Sequence, residues 1–484
     1  MERRNFLKNI GLGAAAVVPG SSLLAATTDN TVIGAGTVKG KVVSSGKGIA
    51  AVSVSDGYSI VQTDKNGQYQ LPLHSDAKFV FVTIPSGYHI PHEKGLARFY
   101  QRLDKSQAAQ TANFTLTKNE QDDTKHAVII WGDTQMVKDE NAVELINVSA
   151  PDTAAVVRSL GNIPVHGISV GDLVHDRADL YDEYSKAVEV TGIPFFQVIG
   201  NHDQTYIARG DDNSQATFQD LFGPGYFSFN RGKIHYVFLD DVFFLGKGHS
   251  YMGYLTEPQL NWLEKDLQAV PVGSTVIVSL HIPTYTNIVD REKLKEEPTG
   301  GMVTNHEHLY KLLKPYQVHI MSGHTHWNEN WEKDNIFEHN HGTVCGAWWR
   351  KQAVCVDGTP NGYAVYEIDG NNVKWYYKGT GKPKDYQLAA YAPGKVKTQP
   401  NAVIANVWNW DKQWKVEYLE DGVLKGTMAQ IRCQDPISMA HYPANMHVFS
   451  DHFFAATPGA GVKEVTVKVT DRFGVVYQDK VKLG

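Results

Sequence analysis

Six largely apolar runs of strand length restrict the fold of this 484-residue chain more than any other feature. They lie at Ala127–Trp131, Val165–Val170, Phe195–Ile199, Ile234–Leu239, Val276–Leu280 and Val318–Met321. Helical patterns separate them, at Asp152–Leu160, Leu180–Val190, Glu257–Leu267 and His306–Leu313. A strand apolar on both faces must be covered on both, by helices or by a second sheet. The alternation therefore predicts an α/β domain beginning after the polar linker Glu120–Thr124.

The chain is too long for one core, so flanking domains are expected. Residues 31–118 carry short alternating runs, such as Thr37–Val43 and Gly67–Leu73, divided by turn residues. That pattern predicts a small antiparallel β-sandwich. Its Thr63–Tyr69 stretch resembles carboxypeptidase-regulatory-like or transthyretin-like modules. After Gly342 the helical patterns stop, and Tyr363–Ile368, Val373–Tyr377 and Val465–Val469 read as strands. The expected organisation is a catalytic domain over 125–345 and a β-rich domain over 346–484.

At the N-terminus, Arg3-Arg4-Asn5-Phe6-Leu7-Lys8 resembles a twin-arginine export signal. A mildly apolar run to Leu24 and the small residues Ala25-Ala26 complete a signal over residues 1–26. The run is short, Gly-rich and broken by Pro19, unlike a bilayer span. An exported, periplasmic or envelope-associated protein follows, with no transmembrane segment in the mature chain. Net charge is -6 and no dense Lys/Arg cluster occurs, so a nucleic-acid polymer is not an expected partner. The cysteines are Cys345, Cys355 and Cys433; the first two either pair across a hairpin or stay as buried thiols.

The chemistry sits where the strands end. Gly132-Asp133-Thr134-Gln135 follows the first run and Gly171-Asp172 the second. Gly200-Asn201-His202-Asp203 follows the third, His281 the fifth, and Gly323-His324-Thr325-His326 the sixth. Ligands in an open α/β sheet bind beyond the carboxyl ends of its strands. Taken singly, each motif is an ordinary turn, helix cap or satisfied histidine. Five of them in order deliver Asp, Gln, Asp, Asn and three His to one edge, which is a metal-binding set.

This series resembles the calcineurin-like metallophosphoesterase superfamily, with looser similarity at Phe222-Gly223-Pro224 and Gln259–Leu263. The flanking β-modules are similar to the extensions of an exported bacterial subgroup. The resemblance implies an α/β (α+β) core in which a β-sandwich is flanked by helices. It implies a metal-dependent phosphoesterase that hydrolyses a phosphate mono- or diester through a metal-bound hydroxide. Two ions, Mn, Fe or Zn, would be bridged by Asp172. Asp133, Gln135 and His326 would complete one site; Asn201, His281 and His324 would complete the other. His202 would stand over the leaving group as general acid, oriented by Asp176 or Asp203.

Two positions depart from the family pattern. Gln135 stands where a histidine is usual, and its neutral amide oxygen implies a site that is more weakly held or tilted toward harder ions such as Mn or Fe over Zn. His175 stands where many members carry an acid, with Asp176 following it. The Thr284–Thr304 stretch, with Gly300-Gly301, reads as a lid or an ordinary surface loop. Trp348 and Trp349 read as inter-domain packing or as a stacking platform, with Arg350 beside them. The competing class is an exported glycan- or envelope-binding protein with an inactive core.

Overall fold

The apolar runs pair into two sheets whose inner faces meet. The computed structural model describes residues 36–350 and 353–483, so the predicted export signal lies outside the described residues. In the first sheet, Lys125–Trp131 runs parallel to Val165–Val170, which runs parallel to Phe195–Val198. The two-residue alternation of a strand divides their side chains. Val128, Ile130, Ile168, Val170, Phe196 and Val198 point to the second sheet. Ala127, Ile129, Trp131 and Phe195 point outward, under residues of helices Ala150–Ser159 and Tyr181–Thr191.

The second sheet runs in the order Phe227–Arg231, Ile234–Phe238, Thr275–Ser279, Gln317–Ser322, Ile336–Asn340 and Glu329–Lys333. Helices Glu257–Leu267 and His306–Leu313 contribute Leu263, Leu267, Leu309 and Leu313 to the same core. The result is a β-sandwich flanked by helices, as the family resemblance implied. Among the described residues, no helix is long and apolar enough to cross a membrane.

The first sheet takes in strands beyond residue 345. The hairpin Gly362–Asp369 and Asn372–Gly379 pairs antiparallel with Lys125–Trp131 and completes the first sheet. A hairpin that extends an existing sheet has the same alternation as one that starts a new domain, so sequence does not separate them. On the opposite side, Leu96–Ala97 pairs with the edge of Phe195–Val198. The C-terminal domain proper is a sandwich of two four-stranded sheets beginning at Ala389–Tyr391. The N-terminal module is likewise two sheets, built on Thr37–Ser44 and Ser53–Ser55. Cys345, Cys355 and Cys433 are all buried and free, so the unpaired alternative holds.

Trp262 joins the N-terminal module to the catalytic sandwich. It is fully buried, its Nε1 donates to Ser55 Oγ at 3.1 Å, and its ring meets Phe81 edge-on at 6.3 Å. Trp262→Ala should cost about 3–5 kcal/mol by cavity formation. A urea titration should show the loss as a lower unfolding midpoint.

Candidate metal centre

Most site residues named from the sequence lie on tight turns just beyond a strand, with Asn201, His202 and Asp203 on a single helical turn. Asp133, Gln135, Asp172, His324 and His326 all have positive φ, between 28° and 71°. Non-glycine residues rarely adopt that region, and such strain collects at functional sites. Two glycines are required for a different reason, the closeness of the neighbouring turns. A Cβ on Gly200 would lie 2.2 Å from Asp172 Oδ1, and one on Gly323 would lie 2.4 Å from Asp133 Oδ1.

The structure brings all seven candidate ligands together. Gln135 Nε2 donates to Asp172 Oδ2 at 2.8 Å, and His281 Nε2 lies 3.4 Å from Asp172 Oδ1. His281 Nε2 is 3.0 Å from Asn201 Oδ1 and 3.2 Å from His324 Nδ1. The His324 amide donates to Asp133 Oδ1 at 3.0 Å, and Asp133 Oδ2 lies 3.3 Å from His326 Nε2. Ligand atoms of Asp172, His281 and His324 all fall within 4.8 Å of one another.

Each histidine has its far nitrogen committed to a backbone carbonyl. His281 Nδ1 meets the Val170 oxygen at 2.8 Å, His324 Nε2 the Gly300 oxygen at 3.0 Å, and His326 Nδ1 the Gly346 oxygen at 2.8 Å. Such outer partners fix the tautomer and aim the other nitrogen inward. Burial holds His281 below its ordinary pKa and, with His281 beside it, takes His324 down to about 3. Both rings are therefore neutral at neutral pH. Their inward nitrogens and Asn201 Oδ1 are then three acceptors facing one another with no donor between them.

The carboxylates sharpen this. Burial, then the nearby Asp133 and Asp203, push Asp172 well above the usual carboxylate range. Asp133 is also buried, yet its contact with His326 holds it below that range. Gln135 Oε1 is buried without a hydrogen-bond partner. Converging lone pairs and crowded carboxylates are what divalent cations neutralise, and the mixed N and O donors suit transition metals. The residues present fit a metal group.

His202 borders this cage. Its amide donates to Asp172 Oδ1 at 2.8 Å and its Nδ1 lies 2.8 Å from Asp176 Oδ1. His175 stacks on the same ring, with centroids 3.8 Å apart. Asp203, expected as an alternative orienting acid, has another role. Its carboxylate accepts from the amides of Gly200, Leu173 and Val174 and from the Tyr181 hydroxyl. It ties the turn after Phe195–Val198 to the turn after Val165–Val170; burial raises it to about 7. Asp176 therefore holds His202, and Asp203 holds the loops.

Two further groups had not been singled out. Asp241 accepts from the amides of His281 and Ile282, at 3.2 and 2.9 Å. It too follows a predicted strand, so its position was a readable signal. His249, 3.4 Å from Asp176 Oδ2, comes from a loop with no local motif. Trp348 stacks on His326 at 4.2 Å and packs into an inter-domain cluster with Tyr442 and Met446. Trp349 Nε1 donates to the Thr134 carbonyl at 2.9 Å.

Family models match the chain in three successive stretches. They are described as the N terminal of calcineurin-like phosphoesterase over residues 36–119, calcineurin-like phosphoesterase over 126–328, and its C terminal over 338–477. Matched core and assembled cage define a metal-dependent phosphoric ester hydrolase. The chain belongs to the calcineurin-like phosphoesterase family.

No curated protein matches the sequence. Among solved structures, purple acid phosphatase PPD1 from yellow lupin seeds is similar at 14% identity and TM-score 0.32, over 90% of this chain and 69% of that one. PhoD is similar at 9% identity and TM-score 0.34, over 94% and 87%. GAP50 of the Plasmodium inner membrane complex is similar at 14% identity and TM-score 0.33, over 54% and 86%.

The crowding at Gly200 gives a direct test of the cage. Gly200→Ala should displace the Asp172 carboxylate and lower the metal bound per chain, measured by plasma mass spectrometry. Circular dichroism should stay close to wild type, because the collision is confined to the two strand-end turns that carry Gly200 and Asp172.

Proposed function

We propose that the protein hydrolyses a phosphate mono- or diester at a pair of divalent ions. Asp133, Gln135 and His326 hold one, Asn201, His281 and His324 the other, and Asp172 both. The observation that carries this is the set of inward acceptors, His281 Nε2, His324 Nδ1 and Asn201 Oδ1, with no donor among them. Ions bound there supply Lewis acidity, neutralising the nonbridging oxygens of the ester and acidifying the attacking water.

The protein's own groups orient and move protons. Asp172 anchors three partners at once: Gln135, His281 and the His202 amide. Asp176 accepts from His202 Nδ1, which leaves Nε2 to carry the proton for a departing alkoxide. Burial and the neighbouring His175 lower the His202 pKa, while Asp176 works against both. A general acid works below its pKa and fails above it. Removing the Asp176 charge therefore shortens the active range from the alkaline side.

Turnover of p-nitrophenyl phosphate and its bis-ester, with Mn²⁺, Fe or Zn²⁺ present, tests the activity and separates mono- from diesterase. No turnover of either would favour the envelope-binding alternative. His202→Ala should keep its metal and lose about 10²–10⁴-fold in kcat for esters with poor leaving groups. The loss should be much smaller for p-nitrophenolate. Equal losses for both would remove the acid role. In Asp176→Asn, the alkaline limb of the kcat profile should shift to lower pH.

Gln135 bears on the choice of metal. Its Oε1 is buried and unpartnered while its Nε2 is spent on Asp172, so the inward group is a hard, neutral oxygen. Gln135→His should raise Zn²⁺ occupancy relative to Mn²⁺ in competitive titration. Unchanged occupancy would dissociate this residue from metal preference.

A further inference from the structure

Two of the three carbonyls that aim the histidines do not belong to the strands carrying the metal cage. Gly300 lies on the 284–304 loop and Gly346 on the turn before Trp348. Both segments rest on the C-terminal domain. At the loop, Arg432 of strand Ala429–Cys433 donates to Asp290 at 2.7 Å and to Asp451 at 2.7 Å. Asn287 Nδ2 donates to Asp451 Oδ2 at 2.9 Å. Inside the loop, Glu329 accepts from Thr286 Oγ1, the Asn287 amide and buried Arg291, at 2.7, 2.9 and 2.9 Å. Glu329 stands three residues after His326, so the loop is tied both to the histidine strand and to the outer domain.

The second segment is held in parallel. The Val354 carbonyl accepts from the Ala347 amide at 2.8 Å and from the Tyr442 hydroxyl at 2.9 Å. Asp357, fully buried, accepts from the Asn328 amide at 2.8 Å and pairs with His452 of the C-terminal domain at 2.9 Å.

We propose that the C-terminal β-sandwich is a clamp that sets metal affinity. It fixes the segments whose carbonyls orient His324 and His326, and Arg432 is a positioning residue for the ion at His324. The proposal rests on the two-ion reading above. Its physical basis is that a ligating imidazole binds through one nitrogen only as well as the other is held. A loop free to move withdraws the Gly300 carbonyl and lets His324 rotate or change tautomer. Arg432 is partly exposed, so its pairs add little to global stability, and variants there should fold.

The test uses the full chain, stripped of metal and titrated with Mn²⁺ by calorimetry, with hydrogen exchange followed over residues 284–304. Arg432→Gln combined with Asn287→Ala should speed exchange in the loop. It should weaken one of the two Mn²⁺ affinities by about tenfold, the lower range for loss of an outer partner. The other affinity should hold, because His326 takes its carbonyl from Gly346. Arg432→Lys in the Asn287 wild-type background should keep both affinities near wild type. Faster exchange with both affinities unchanged would overturn the clamp, and so would unchanged exchange. Equal weakening of both ions with a lower Tm would mark general destabilisation instead and also overturn it. A wild-type chain that takes up no ion would remove the metal centre itself, and the clamp with it.

Discussion

Buried lone pairs without a donor govern this molecule. Asn201 and His281 are almost wholly withdrawn from water, and their inward atoms face each other and His324 Nδ1. Burial keeps the His281 and His324 imidazoles neutral, and burial, then the nearby Asp133, pushes Asp172 above the usual carboxylate range. Left without cations, such a cage sets acceptor against acceptor in a low-dielectric interior, where unpaired polar groups are costly. The surrounding architecture is a means of holding that unfavourable arrangement in place. The same arrangement is what makes the site a receptor for divalent ions.

Holding it takes strain and close approach. Five cage residues sit at positive φ, and glycines admit neighbouring side chains where a Cβ would collide. Two carboxylates spend themselves on amides: Asp203 between two strand-end turns, Asp241 under His281 and Ile282. Neither faces an ester. They show that the number of acids at a site overstates the number doing chemistry. An acid that accepts several backbone amides is organising a loop.

The flanking modules are not independent attachments. The N-terminal sandwich shares a continuous core with the catalytic sheets through Phe81 and Trp262. The C-terminal sandwich reaches the loop over the metal centre through Arg432 and the buried Asp357 through His452. Three consecutive stretches matched by one family thus pack against one another, through the shared core on one side and the Arg432 and His452 contacts on the other.

The catalytic strands and helices were legible because burial on both faces leaves a continuous apolar run, and Glu257–Leu267 and His306–Leu313 appear with the expected bounds. The residues of the candidate cage were legible for a related reason: all of them follow strand ends, and all but His281 follow a glycine there, a local pattern. Sequence left open whether Asp176 or Asp203 serves His202, because both lie within a few residues of the motifs and differ only in where their oxygens point. Nor did it show that Gly362–Asp369 pairs with Lys125–Trp131, since that contact spans more than two hundred residues and has no local signature. Residue type and spacing set which groups gather at the strand ends; long-range packing decided which carbonyl meets each histidine, which acid pairs with His202 and which domain touches the 284–304 loop. Those are contacts between distant segments, and only the folded chain brings them into being.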